Sequence, residues 1–285
     1  MLNKKDLIPI LGNSQLLDGG AMFGNAPKEM WKKWITSDEL NRIPLACRAL
    51  LIKNWKGKNI LFETGIGNFF EPKLKERFGV LENGHMLLEN LKKHNLSHED
   101  IDYVILSHLH FDHAGGTLSS YEEGKPVSLL FPKAKYFVSK EHFERAQNPH
   151  PRDRISFIPE LQDLLLKSNR MILIDEKTST ELSEFVTFRF SQGHTPGLML
   201  SEIKMDEGIV IFASDLIPGS AWVHVPLSMG YDRFSELVID EKRKLLEDIL
   251  PKNGYLFFTH DHDMALGKLF KDDKGKFFVK KELCH

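Results

Sequence analysis

Cysteine is scarce in this 285-residue chain: there are only two, Cys47 and Cys284. Two are too few for a disulfide framework or a thiolate metal site, so they read as free thiols in a reducing compartment. No charge dominates either. The 38 basic residues face 40 acidic ones, which leaves no electrostatic footprint for nucleic acid or for an anionic membrane. No segment reaches the roughly 18 uninterrupted apolar residues of a membrane span. The opening MLNKKDLIPILGNSQLLDGG has no apolar core of signal-peptide type. These absences predict a cytoplasmic protein that acts on a small molecule and binds neither nucleic acid nor membrane. Low-complexity linkers are missing too, which predicts one domain over 1–285, with an N-terminal arm over 1–44 and a core over 45–285.

What the chain has in quantity is histidine, 13 in all, and several cluster. The stretch ILSHLHFDHAGG, Ile105 to Gly116, carries His108, His110, Asp112 and His113 directly after an apolar run. Buried without a cation, so many polar rings would destabilise the fold. Read as a strand, the stretch would turn His108, His110 and Asp112 to one face and His113 to the other. On a loop entering a helix, the first two histidines can hold one metal while Asp112 and His113 hold a second.

The surrounding chain reads as short strands alternating with helices. Leu45–Ile52 and Asn59–Glu63 predict a hairpin, and Tyr103–Leu106 a strand running into the cluster. Met86–His94 predicts a helix, and Lys135–Val138 a strand followed by a helix to Gln147 capped by Ser139. In the second half, Ile158–Lys167 predicts a helix, then strands follow at Met171–Ile174 and Phe185–Phe190. Leu198–Ile203 and Gly208–Ala213 predict a second hairpin. A long helix spans Ser235–Leu250 and stops at Pro251, and strands follow at Tyr255–Thr259 and Lys276–Lys280. Two β-rich halves with helices throughout predict an α/β fold, a four-layer αβ/βα sandwich of two mixed sheets with outer helices.

Three further polar residues follow apolar strands directly: His194 in FSQGHTPG, Asp215 in IVIFASDL and His260 in YLFFTHDH. Strand ends are rigidly held, so side chains there converge with little slack. His260 is preferred over His262 because it adjoins the strand. His142, His150 and His285 read instead as core or surface residues. The arithmetic then gives His108, His110 and His194 to a first metal and Asp112, His113 and His260 to a second, with Asp215 bridging. Imidazole with carboxylate suits two zinc ions, with manganese or iron as alternatives. Each ion keeps an open position, which predicts hydrolysis by a hydroxide shared between the metals. Asp112, ligand and neighbour of that water, is the candidate proton acceptor.

S-His108-L-His110-F-Asp112-His113-AGG resembles the signature of the metallo-β-lactamase-fold hydrolases. The motifs at His194, Asp215 and His260 are similar to that family's later metal motifs, in the same order. The resemblance covers about Leu45 to Asp261 and implies the same fold and a binuclear zinc site with the seven ligands above. FETGIG, Phe62 to Gly67, resembles the family's D-T-G turn, with Glu63 in place of the aspartate. LDGGAMFG and NRIPLACRALLI resemble the branch of quorum-quenching lactonases and related phosphotriesterases. That branch implies a lactone or other carboxylic ester as substrate, such as an N-acyl-homoserine lactone. A phosphotriesterase or aryl esterase of the same fold is one alternative; an iron-dependent oxidoreductase or a non-catalytic metal-binding protein is the alternative of a different functional class. In the best-known lactonases a tyrosine stands three residues after the bridging aspartate, where this chain has Pro218. Tyr231 in SMGYD and His224 in AWVHVP are the candidates to replace it. Met22, Phe23, Trp31, Trp34, Phe157, Trp222 and Met229 divide evenly between a substrate pocket and ordinary packing. The N-terminal arm, rich in such residues, is compatible with a homodimer.

Overall fold

The computed structural model describes residues 2–177, 179 and 181–284. Among them the strands run β1 (Ile8–Leu11), β2 (Gln15–Asp18), β3 (Arg42–Leu45), β4 (Arg48–Trp55), β5 (Lys58–Phe62), β6 (Tyr103–Ile105) and β7 (Lys135–Ser139). They continue as β8 (Met171–Ile174), β9 (Val186–Ser191), β10 (Leu198–Met205), β11 (Gly208–Phe212), β12 (Gly254–Phe257), β13 (Leu266–Lys271) and β14 (Phe277–Glu282). The chain divides into two compact units, one of Lys5–Gln15 and Ala46–Glu176, the other of Leu16–Leu45 and Lys177–Cys284 with residues 2–4. The α/β class predicted from the sequence is borne out. No helix among the described residues is long and apolar enough to cross a membrane.

The first unit is built on a six-stranded sheet in the order β1-β4-β5-β6-β7-β8. β1, β4 and β5 pair antiparallel, and β5 through β8 pair parallel. Parallel strands need crossovers, and helices supply them, so interior strands are covered on both faces and read as unbroken apolar runs. β7 shows this: Tyr136, Phe137 and Val138 are all buried. The helix Lys140–Gln147 starts where Ser139 accepts from the His142 amide, and Pro159 opens the helix Pro159–Lys167 at the position where its missing N–H costs nothing. Leu61, Leu91, Val104, Leu106, Tyr136 and Leu161 belong to this unit's own core.

The second unit carries the order β14-β13-β12-β11-β10-β9. Among its named strands only β11 and β12 pair parallel, joined through the helix Ser235–Ile249. That helix buries Val238, Leu245, Leu246 and Ile249 at helical spacing into a separate core. Phe23 stacks on Trp31 and Trp222 inside it, with ring centroids 5.2 and 4.5 Å apart. Met22, Phe23, Trp31, Trp222 and Met229 are buried, Phe23 and Trp222 also lining a cleft beside Trp34, which is 40% exposed.

Three details differ from expectation. Ile8–Leu11, read as part of an arm, is the edge strand of the first sheet because Ile8 to Leu11 register against Leu51 to Arg48. Pro251 does not end helical structure: a 3-10 turn, Leu250–Lys252, carries through it and closes at Asn253, whose φ is 54°. The closing strand has a partner, β13, which was missed because its lysines break the apolar run, as is common on strands near a sheet edge.

Candidate metal centre

In the first unit, β5 and β6 are parallel, and Phe62 registers with Ile105 at their ends. The chain leaves both strands at the same rim. Glu63 is the next residue after β5, and the HLHFDH stretch follows β6 after Leu106 and Ser107. Ligands of parallel sheets gather at such carboxyl ends. Glu63 adopts φ 61° and its amide donates to Ile105 O at 2.8 Å, which swings its side chain under the histidines. The Thr64 amide and hydroxyl both donate to His113 O, at 2.9 and 3.1 Å. The second glycine of the HAGG turn is required by this close approach, because a Cβ at Gly116 would overlap the carbonyl oxygen of Thr64.

Glu63 is wholly buried, and its carboxylate does two things. One oxygen accepts from His113 Nδ1 at 2.9 Å, and the other accepts from the Ser107 hydroxyl. Ser107 Oγ lies 2.9 Å from His108 Nδ1. With the serine proton given to Glu63, the serine oxygen accepts from His108. Both imidazoles thus carry their proton on Nδ1 and present Nε2, the tautomer being assigned from these bonds. His108 Nε2 lies 3.0 Å from His110 Nδ1, and Asp112 Oδ2 lies 3.7 Å from His113 Nε2. Gln15 Nε2 steadies the same Asp112 oxygen at 3.3 Å. Glu63, His108 and His113 bring their ligand atoms within 4.8 Å of one another.

In the second unit the construction repeats. β11 and β12 are parallel with Phe212 registered to Phe257, and Asp215 and His260 each lie three residues past those positions. His194 sits in the β9–β10 connection at the same end of the sheet, since Leu198 pairs with Ser191 and Ser201 with Phe212. The two oxygens of Asp215 face two different rings: Oδ2 lies 3.3 Å from His194 Nε2, and Oδ1 3.2 Å from His260 Nε2. Behind His194, Nδ1 lies 2.9 Å from Asp232 Oδ1. Ser214, just before Asp215, has φ 43°.

Three imidazoles, His108, His113 and His194, therefore share one arrangement: Nδ1 tied to a buried carboxylate or to the serine that serves it, and Nε2 turned inward. Carboxylate-backed histidines of this kind are how proteins fix the tautomer and raise the basicity of metal ligands. The donor set fits a metal of zinc type.

The remaining candidates lie as follows. His262 is exposed, whereas His260 is buried. Tyr231 is 43% exposed. His224 is half-buried in a cleft of about 450 Å³ that Trp34, Lys276 and His260 also line, and burial, then the charge of Lys276, lowers its pKa. His142 is a core residue whose Nε2 accepts from the Leu109 amide at 2.8 Å, so it braces the histidine loop. His150 is exposed, and His285 lies outside the described residues. Sequence reading missed Asp232, Gln15 and Ser107; each is remote in sequence from the side chain it meets or is an ordinary polar residue with no spacing signal.

Residues 42–260 match the family model of the metallo-beta-lactamase superfamily. The chain belongs to that superfamily. Its hydrolase assignment follows, as expected from the histidine motif. An N-acyl homoserine lactonase from Bacillus sp is 25% identical over 258 residues, covering 84% of this chain and 90% of the relative. N-acyl homoserine lactonase AiiA from Bacillus thuringiensis subsp. kurstaki is 24% identical over 246 residues, covering 80% and 85%. Among solved structures, a probable metal-dependent hydrolase from Staphylococcus aureus is 26% identical, with a TM-score of 0.85 over 99% of this chain and 100% of that one. The dizinc quorum-quenching lactonase AidC shares the fold at a TM-score of 0.74 and 24% identity, covering 97% and 94%.

Proposed function

We propose that this superfamily member hydrolyses lactones or other carboxylic esters bearing an apolar acyl or aryl group, with two zinc ions as cofactors. His108, His110 and His194 would hold one ion, Asp112, His113 and His260 the other, and Asp215 would bridge them. When bound, such ions supply Lewis acidity and a water acidified to near neutrality.

The observation that carries the substrate class lies in the first unit. Phe69, Phe70, Phe78, Phe111 and Phe157 line an open cavity of about 730 Å³. Phe111 stands between His110 and Asp112 in the chain, and the Phe157 ring packs edge-on to His110 with centroids 4.9 Å apart. An apolar group filling this space would bring its ester carbon to the ligand loop, and the phenylalanines would exclude competing water. Asp112, oriented by Gln15 and only 14% exposed, would take a proton from the attacking water. It then returns that proton to the leaving oxygen as the acyl C–O bond breaks, giving a hydroxy acid from a lactone. The names of the Bacillus relatives support an N-acyl-homoserine lactone as the first substrate to try.

The test is a hydrolysis panel of short- and long-chain acyl-homoserine lactones, aryl esters and phosphotriesters, run with elemental analysis of the purified protein. Turnover of the lactones or esters that disappears on chelation and returns with zinc supports the reading. Hydrolysis of phosphotriesters alone would replace the ester assignment, and iron without hydrolysis of any class would overturn both.

A further inference from the structure

We propose that Glu241 and Lys242, neighbours on the helix Ser235–Ile249, are positioning residues for His194. The inference rests on the reading of His194 as a metal ligand.

His194 stands three residues past the end of β9, on backbone that the sheet no longer holds. Glu241 holds it instead. Its carboxylate accepts from Ser191 Oγ at 2.6 Å, from the Gln192 amide at 2.8 Å and from the Gly193 amide at 3.2 Å. One side chain thus takes three successive donors up to the residue before the ligand. The approach is close: a Cβ at Gly193 would lie 2.5 Å from the backbone nitrogen of Val238 on the same helix.

Lys242 points about 100° away around the helix and holds the other side of the ligand. Its Nζ donates to Trp222 O at 3.0 Å and to Leu227 O. Those carbonyls open the segment that ends at Asp232, the carboxylate behind His194. Asp232 is set in turn by the Met229 amide at 2.6 Å. The Arg233 and Phe234 amides then close the segment onto His194 O and Gly193 O at 3.1 and 2.8 Å. Consecutive residues of one helix therefore fix both the backbone that bears the ligand and the segment that bears its carboxylate.

A lysine is a costly way to plug a core. Lys242 is 0% exposed, and burial pushes its pKa down to about 8, with the charge of Asp232 opposing that shift. An apolar side chain of equal length would fill the space without that cost. What it could not do is satisfy two carbonyls and set a positive charge near the carboxylate that orients His194.

The test compares Glu241→Gln, Lys242→Met and Lys242→Arg with His194→Ala. Zinc affinity is read by competition with a chromogenic chelator, and ligand geometry by the visible absorption bands of the cobalt(II)-substituted protein. We expect Glu241→Gln and Lys242→Met to weaken zinc binding by about 10- to 100-fold, the range seen when outer partners of metal ligands are removed. The cobalt bands should shift, and Lys242→Arg should restore part of the affinity. A purely structural role would lower the melting temperature and leave cobalt bands and affinity as in the parent. That result, with His194→Ala still weakening the metal, overturns the positioning role. If Lys242→Met does not fold, Glu241→Gln decides alone by the same two readouts. If His194→Ala leaves zinc stoichiometry unchanged, the ligand assignment fails instead.

Discussion

Glu63 Oε2 accepts from His113 Nδ1 over 2.9 Å while the other carboxylate oxygen takes the Ser107 hydroxyl. A single glutamate thereby orients His113 directly and His108 at one remove. Glu63→Ala is expected to weaken zinc binding by about 10- to 100-fold. Ser107→Ala should cost less, since it disturbs His108 alone. Titration against a chelator of known affinity checks both, and equal losses would break the ordering.

Gly116→Ala is expected to destabilise the protein by roughly 1–3 kcal/mol, because the added methyl meets the Thr64 carbonyl rather than a flexible side chain. Thermal unfolding of the metal-free protein is the measurement. An unchanged melting temperature would show that the Thr64–His113 turn relaxes freely.

Ile155 lines the apolar cavity and is 55% exposed, so replacing it leaves the core intact. Ile155→Asp is expected to raise KM for long-chain acyl substrates by about 10-fold, the worth of roughly 50 Å² of apolar contact plus the cost of drying a charge. Short-chain substrates should keep their KM. Steady-state kinetics along a chain-length series distinguishes this from a general loss.

Lys242 gives the stability profile a specific shape. Its pKa in the folded protein, about 8, lies below the ordinary 10.5, so between those values the unfolded chain binds more protons. Stability contributed at this site therefore rises with pH from about 8 to 10.5, by at most on the order of 3 kcal/mol. Below pH 8 the cost of burying the charge is present in full. Lys242→Met should flatten that rise, read as urea unfolding free energy across the window, and identical slopes in both proteins would contradict it.

Much of this was legible in the chain. The apolar runs ending at Ile105, Phe212 and Phe257 named the strands, and the polar residue a few positions past each run named the candidate ligands. That works because a strand end projects its next residues from a fixed platform. Asp232 was not legible: it reaches His194 across 38 residues, through a segment whose course is set by the helix Ser235–Ile249. The same holds for Gln15 beside Asp112, 97 residues away. The aromatic residues near the N-terminus gave a pattern that core and pocket share, and burial resolved Phe23 and Trp31 as core. β13 was hidden by Lys268 and Lys271, which break its apolar run; the Lys268 ammonium lies over the Tyr255 and Phe270 rings.

Glu63 and Ser214 both hold left-handed backbone, φ 61° and 43°, at the points where β5 and β11 hand the chain to its acidic and imidazole side chains. For residues with a Cβ, that conformation costs roughly 1–2 kcal/mol each. Ser214→Gly would release one of these strains. With serine, the bend stays narrow in its choice of backbone angles, and the aspartate it delivers meets two separate rings, His194 and His260, with its two oxygens.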